Sequence, residues 1–541
     1  MKMAKILKAV ASAFVAGALA ATAMFSAVSA ATQTADLTIT GTNENHSYEA
    51  YQIFAGDLEG STLSNIVWGS GIADGDALLT ALESQVDLGG VDYSSATSAA
   101  DVAKILAENG SGHDSTAAQA FADFISDYLA TSPSATATVA SGNTAAVFDD
   151  IEVGYYLVKD ADNTLDGEDE AYTRFIIKIV GDASAAVKSS TPTVDKQVYD
   201  DDDSAGWNDV ADYDIGDAVP FKLTGTMPST LGDYETYTYI FHDTLSDGLT
   251  LDSTSIAVTI DGVTIDSSAY TVKTGEDTCG CTFEVAFTDI ISAATNNSTS
   301  VTLSNSSQVI VTYNATLNSN AVIGLNGNPN EVYLEYSNNP NQGGEGDTGS
   351  TPEEYALVFT YKLDVTKVDG DDNTKVLEGA EFVLYDEAGN YAIVDENGKV
   401  TGWATDIDNA STLTSDADGN FVVIGLDEGT YYLKETKAPA GYNLLSSPIT
   451  VVINATDVHN VEYDGTNASS ELTAIEITVN GTANSGDPDT GTVSATVENN
   501  SGSVLPETGG IGTTIFYVGG AIIVAGAVIL LIVKRRMKTA E

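Results

Sequence analysis

The sequence predicts a mainly β fold, with two antiparallel sandwiches in tandem behind a mixed α+β domain. Three observations carry this. Short runs rich in Val, Ile, Thr and Tyr recur over residues 193–340 and again over 357–503. Turn pairs such as Asp261-Gly262, Asn397-Gly398 and Asp418-Gly419-Asn420 separate them, as in hairpin-rich sheets. Residues 31–188 instead combine strand-like alternation (Leu37–Ile39, Gly154–Val158) with apolar residues at helical spacing in Asp76–Val86, Asp101–Leu106 and Ala117–Leu129. A length of 541 residues suits three or four domains, and 43% hydrophobic residues argue against wholesale disorder.

The two ends specify the compartment. Lys2, Lys5 and Lys8 precede an apolar run from Ala9 to Val28 that closes on small residues, Val28-Ser29-Ala30. This is the pattern of a secretory signal peptide cleaved after Ala30. At the other end, Leu505-Pro506-Glu507-Thr508-Gly509 is followed by an apolar stretch, Ile515–Val533, and then Lys534, Arg535, Arg536 and Lys538. The stretch is long enough to span a bilayer, and the basic tail marks its cytoplasmic side.

Charge narrows the function classes. The chain carries 78 acidic against 21 basic residues, a formal charge of −57. Setting aside three lysines before Ala30, and the four basic and one acidic residues after Gly509, leaves 14 basic against 77 acidic side chains. Such a surface repels phosphate backbones and excludes nucleic acid as a partner. Four scattered histidines and two cysteines do not suggest a metal or iron–sulfur site, so no cofactor is expected. Cys279-Gly280-Cys281 is compatible with a strained disulfide outside the cytosol, with no histidine beside it in sequence. The acidic run Asp200–Asp203 does not match an EF-hand and reads as a solvated loop. Trp68, Trp207 and Trp403 read as core. No carboxylate pair or nucleophile–histidine motif stands out, which disfavours a hydrolase.

Composition marks boundaries near Ser189–Pro192 and through the Gly/Asn/Ser-rich stretch from Asn338 to Pro352. The expected organisation is a signal peptide (1–30), an N-terminal domain (31–188), a middle domain (189–340), a linker (341–356), a C-terminal domain (357–504), the pentapeptide (505–509) and the apolar and basic tail (510–541). The middle and C-terminal domains share an ordering of chemistry-bearing residues. Each opens with a lysine in an alternating apolar run, Lys196 in Val194–Val198 and Lys367 in Val365–Val368. Each closes with an asparagine, Asn330 and Asn499, and between them an acid sits in strand context: Asp243, with Glu235 as a nearby competitor, and Glu435. Alternation puts Lys367 with Val365, and Asn499 with Val497, on the inward face. The plain alternative is a buried ion pair, or lysines snorkelling from a sheet edge.

Several segments carry a family resemblance. The C-terminal pentapeptide, apolar stretch and basic tail together resemble the cell-wall sorting signal of Gram-positive surface proteins. YYLKETKAPAGY (Tyr431–Tyr442) and LEGAEFVL (Leu377–Leu384) are similar to segments of collagen-adhesin B-type domains. FHDTLSDGL and NEVYLEYSNNP resemble the second domain of sortase-assembled backbone pilins, and YEAYQIFAGDL and NIVWGSGI their first domain. The likeness spans nearly the whole chain.

The resemblance implies tandem Ig-like sandwiches in an elongated array and a shaft-forming fimbrial subunit. It implies that a pilin-type sortase recognises Leu505, Pro506, Glu507, Thr508 and Gly509, attacks the Thr508 carbonyl, expels the segment from Gly509 and passes Thr508 to an amine. It also implies intramolecular isopeptide bonds, Lys196–Asn330 assisted by Asp243 and Lys367–Asn499 assisted by Glu435. The first domain has no lysine in its opening strand, and no such bond is expected there. The acceptor lysine of the next subunit is expected at the end of the first domain, where Lys188 stands. The family's Tyr-Pro-Lys reads Ala186-Val187-Lys188 here, and Lys178 and Lys159 are the alternatives. Expected partners are further copies of the chain, cell-wall peptidoglycan, tip or basal pilins and host ligands. The protein would be a sortase substrate without turnover of its own, and the runner-up is a monomeric or minor wall-anchored adhesin binding host matrix or glycan.

Overall fold

The computed structural model describes residues 33–502 except 110–114, 166–167, 188, 202–205, 345, 458–462, 464 and 466–467. It also describes 517–518, 520–529 and 531. The signal peptide, Lys188 and residues 505–509 lie outside the described residues. Of the predicted C-terminal span, the described residues are helical, and no described helix is long and apolar enough to cross a membrane.

The first domain pairs two sheets. One runs Ala145–Glu152, Thr34–Thr40, Ala183–Ala186, with the last pair parallel. The other runs Thr62–Trp68, Ser47–Glu59, Gly154–Asp160, Arg174–Ile179, with Ala135–Thr138 on the edge of the long second strand. Leu37, Ile39, Phe148 and Val158 fill the space between them. Helices Gly75–Leu82, Ala99–Asn109 and Thr116–Ser126 fall where the apolar spacing predicts. They bury Leu78, Val102, Phe121 and Ile125 against Tyr51, Ile53 and Phe54 of the second sheet. Asp74 and Ser115 cap the first and third of these helices by accepting from Ala77 and Ala118 backbone N–H groups, donors that an α-helix leaves unpaired in its first turn.

The middle domain is a sandwich of two sheets. One contains, in order, Trp207–Asn208, Val194–Tyr199, Ala218–Thr226, Gln308–Leu317, Leu249–Ile260 and Val263–Thr264. The Asp261-Gly262 turn between the last two has both φ angles positive, 50° and 79°, as a two-residue hairpin loop requires. The facing sheet contains Val210–Asp212, Glu354–Phe359, Asn328–Ser337, Tyr239–Leu245, Phe283–Phe287 and Thr271–Thr274. Part of the stretch expected as a linker, 341–356, is therefore built into this sheet. Thr348–Ser350 and Glu354–Phe359 both pair with Asn328–Ser337. The turn-rich composition ends at Pro352, and the EYALVF run behind it buries Ala356–Phe359.

In the C-terminal domain, Tyr361–Asp369 lies between Asn420–Leu426 and Thr492–Asn499, parallel to the latter. A larger antiparallel sheet faces it, centred on Glu381–Asp386, Gly429–Lys437 and Ile449–Asp457. One apolar cluster runs continuously from Val194 of the middle domain to Val497. The contact between the sandwiches is tight: a Cβ on Gly324 would lie 2.4 Å from Gly491 N, and one on Gly491 would lie 2.5 Å from Gly324 N. Asp214 is held in this junction, accepting from Asp427 N (2.9 Å) and Tyr431 OH (3.0 Å).

Burial, followed by the nearby carboxylates of Asp217 and Asp386, pushes the Asp214 carboxyl up to about 7. The folded chain thus retains a proton that the unfolded chain has lost above about 4, so this group's contribution to stability falls as pH rises from about 4 to about 7. Thermal midpoints measured across that window should decline less steeply in Asp214→Asn than in the parent chain. Parallel curves would show that the junction does not titrate there.

Candidate functional site: buried lysines in two sandwiches

In Val194–Tyr199 the inward positions are Val194, Lys196 and Val198, so a lysine occupies a core position. Its side chain is fully buried, as is that of Asp243 on the facing sheet. Lys196 Nζ donates to Asp243 Oδ2 at 2.5 Å and to Tyr313 OH at 3.2 Å. Tyr313 in turn donates to Asp243 Oδ2 (2.8 Å) and accepts from Asn330 Nδ2 (2.7 Å). Asp243 Oδ1 and Asn330 Oδ1 are buried with no hydrogen-bond partner among the described residues. Phe221 stacks on Tyr313 and Phe283 meets it edge-on, closing the site to water. Glu235 lies elsewhere, beside Gly343.

Burial dominates the electrostatics of the pair. It lowers Lys196 to about 8 despite the pull of Asp243, and it raises Asp243 despite the pull of Lys196. Both shifts favour the neutral amine beside a neutral acid, because a low-polarity interior penalises both charged forms.

The C-terminal triplet uses a different geometry. Asp369 and Asn499 are register partners on adjacent parallel strands, and Lys367 pairs with Val497 two residues earlier. Lys367 and Asn499 are completely buried. Lys367 Nζ donates to Val497 O at 2.9 Å. The Asn499 amide nitrogen donates to both Glu435 oxygens, at 2.9 and 3.1 Å, and to Asn443 O at 2.9 Å. Glu435 comes from the facing sheet and also accepts from Leu445 N. Burial lowers Lys367 to about 8, opposed by Glu435, Glu498 and Asp369. Asn499 Oδ1, like Asn330 Oδ1, is buried without a partner among the described residues.

Sequence reasoning missed Tyr313. It sits in a strand of alternating apolar residues, where a tyrosine reads as core, and it is 117 residues from Lys196. It also missed a second cluster. The expectation that no histidine stands by Cys279 and Cys281, and that these residue types form no metal-type grouping, is corrected by the sheet. Strand pairing brings His242, 37 residues away, to 3.2 Å from Cys279 Sγ. Of the other candidates, Lys159 is paired with Glu49 (3.5 Å) and Lys178 donates to Ser61 O (3.0 Å).

Three family models match the chain. Residues 215–340 match the Gram-positive pilin backbone subunit 2, Cna-B-like domain; 361–468 match the SpaA prealbumin-like fold domain; 497–540 match the LPXTG cell wall anchor motif. The Cna-B-like description thus falls on the middle domain, and the C-terminal domain matches the prealbumin-like model. The trypsin-resistant surface T6 protein of Streptococcus pyogenes serotype M6 is 25% identical over 418 residues, covering 66% of this chain and 71% of the relative. In its middle domain, its C-terminal domain and its anchor the chain is similar to Gram-positive backbone pilins. The solved T6 backbone pilin of the same serotype, described as a modular three-domain structure, is 18% identical with a TM-score of 0.51, covering 88% of this pilin and 100% of that chain. The full-length major pilin SpaD of Corynebacterium diphtheriae is 18% identical with a TM-score of 0.45 over 87% of this pilin and 98% of that chain. The pilin-type domain and the LPXTG anchor motif put this protein in the cell wall at the surface of a Gram-positive bacterium.

In an Asn330→Ala pilin, Lys196 keeps a free amine at about 8 in the folded chain against 10.5 for an ordinary lysine. The folded state then binds fewer protons between those values, so stability should rise with pH through that window. Urea midpoints at its two ends test this. The rise should vanish when Lys196→Met is added; a flat profile in the single variant would overturn the assignment.

Proposed function

We propose that this pilin is a shaft subunit polymerised head to tail by a sortase, with each sandwich locked by a Lys–Asn isopeptide bond. The observation that carries the reading is the buried lysine–acid–asparagine grouping found in both sandwiches. In the middle domain the neutral Lys196 amine attacks the Asn330 side-chain carbonyl carbon. A C–N bond forms to lysine, the bond to Nδ2 breaks, and ammonia leaves with the proton that lysine gives up. Tyr313 holds the departing nitrogen and relays to Asp243. In the C-terminal domain Glu435 holds the departing Asn499 nitrogen directly and is placed to protonate it. Asp243, whose pKa burial raises, can also polarise the carbonyl in the middle domain, as preorganised donors do elsewhere.

Each bond would close a loop of roughly 130 residues. By analogy with disulfides, that removes up to ~5 kcal/mol of unfolded-state entropy, without any oxidant. Thr508 of one subunit is joined to Lys188 of the next, and repetition gives an open filament that supports adhesion. Val187 and Ser189, on either side of Lys188, line a cleft of about 400 Å³ between the first and middle domains with Arg174, Ser229 and Asp233. That cleft can receive the extended end of a neighbouring chain.

The intact mass of residues 31–504 should fall short of the unmodified value by two ammonia molecules. Asp243→Ala and Glu435→Ala should each restore one of them and lower the thermal midpoint, and Tyr313→Phe should slow only the middle-domain loss. A full unmodified mass in the parent chain would refute both bonds. Co-expression with a pilin sortase should give ladders that survive boiling in detergent and disappear in Lys188→Ala. Monomers alone would instead favour a wall-anchored monomeric adhesin.

A further inference from the structure

A cluster outside both triplets combines soft and borderline metal donors. His242 Nδ1 is 3.2 Å from Cys279 Sγ, 3.9 Å from Cys281 Sγ and 3.6 Å from Glu284 Oε1. The two sulfurs are 3.7 Å apart, and the donor atoms of all four residues lie within 4.8 Å of one another. A tetrahedral zinc with ordinary Zn–S, Zn–N and Zn–O bonds of about 2.3, 2.05 and 2.1 Å places its ligands about 3.8 Å (S–S), 3.6 Å (S–N) and 3.4 Å (N–O) apart. The four observed separations are within a few tenths of an ångström of the ideal ones, and a bound ion would draw in the remaining pairs, which lie within 4.8 Å.

The surroundings also suit a metal ligand set. His242 Nε2 is 3.0 Å from Glu335 Oε2; this carboxylate holds the proton on Nε2 and leaves the Nδ1 lone pair facing the sulfurs, the arrangement usual for metal-bound histidines. The imidazole stacks on Tyr333 with centroids 4.5 Å apart, which fixes the ring plane. Glu284 Oε2 is tied to Lys273 (2.7 Å), and its Oε1 accepts from Cys279 N (2.9 Å). His242 and Glu284 are buried, and the cysteines are open to solvent on one side, which provides an entry path.

We propose that His242, Cys279, Cys281 and Glu284 form a tetrahedral site for a thiophilic divalent cation, with zinc the natural occupant. Two thiolates exclude calcium and magnesium, which take oxygen ligands. Binding releases the two thiol protons to solvent. Two thiolates and one carboxylate then face a 2+ ion, and the residual single negative charge is offset by Lys273. The bound ion staples the loop carrying Cys279 and Cys281 to strands Tyr239–Leu245 and Phe283–Phe287, on the outer face of the sheet whose inner face carries Asp243.

The full pilin, reduced, stripped with chelator and then equilibrated with zinc in excess magnesium and calcium, should retain one zinc per chain after desalting. Cobalt in place of zinc should show thiolate-to-metal charge transfer and the visible bands of a tetrahedral ion. Cys279→Ser/Cys281→Ser and His242→Ala should each weaken zinc binding by at least about 100-fold, and Glu335→Gln by about 10- to 100-fold with the cobalt spectrum retained. Zinc should raise the thermal midpoint of the parent chain and leave that of the double serine variant unchanged, which separates ligand loss from misfolding. Three results would overturn the site: no zinc retained by the reduced parent; equal retention by the double serine variant, as adventitious binding to the acidic surface would give; or a secreted chain two hydrogens lighter, with the cysteines oxidised, that takes up no zinc.

Discussion

Burial of two lysine amines inside β-sandwiches is the constraint on which the rest of this structure turns. A lysine head group taken out of water loses solvation that a single carboxylate only partly restores, and breaking such a pair typically costs ~3–5 kcal/mol. In the middle domain the chain meets this constraint by letting Lys196 and Asp243 approach neutrality and by surrounding Lys196 with the flat faces of Phe221 and Tyr313. Neutrality is also the condition for acylation, since only the unprotonated amine is a nucleophile. The feature that is unfavourable as an ion pair is thus suited to a covalent bond, and forming the amide removes the buried charge altogether.

The two sandwiches set this chemistry in different mechanical contexts. In the C-terminal domain the strands carrying Lys367 and Asn499 are parallel neighbours, joined by a ladder from Lys362–Thr492 to Asp369–Asn499. Pulling one strand against the other loads all of those hydrogen bonds together. In the middle domain the strands carrying Lys196 and Asn330 belong to opposite sheets with no ladder between them, so only side-chain packing and the few hydrogen bonds of Lys196 and Tyr313 resist their separation. A covalent link across the core therefore changes the load path more in the middle domain. The continuous apolar cluster and the Gly324–Gly491 contact couple that domain to the C-terminal one, so stiffness in one sandwich is transmitted to the next.

Much of this could be read from the sequence because it rests on local periodicity. Alternation placed Lys367 and Asn499 inward, helical spacing placed the three helices of the first domain, and Asp-Gly marked a hairpin. What escaped depended on long-range pairing. Tyr313 looks like any core aromatic until the facing sheet sets Asp243 and Asn330 against its hydroxyl. Thr348–Ser350 and Glu354–Phe359 were hidden because the stretch before them is rich in turn residues, while their strand character depends on the open edge of Asn328–Ser337. His242 and the two cysteines, individually unremarkable, become a donor set only when Tyr239–Leu245 pairs with Phe283–Phe287.

That pairing also explains how one strand serves two unrelated tasks. Successive residues of a β-strand point to opposite faces, so His242 and Asp243, adjacent in sequence, are separated by the thickness of the sheet. Asp243 faces the dry interior, where burial raises its pKa. His242 faces outward, among Glu335, Glu284 and the cysteines, where neighbouring acceptors favour a protonated or metal-bound ring. A register slip of one residue would exchange these positions, placing a carboxylate among thiols and acids and an imidazole against a buried lysine. Both groupings would be lost together. The hydrogen-bonded register from Tyr239–Tyr336 to Leu245–Asn330 is therefore fixed twice, by the apolar residues Phe241 and Leu334 and by the polar chemistry on each face. This second constraint accounts for a polar, strongly hydrogen-bonded strand at the centre of an otherwise hydrophobic sandwich.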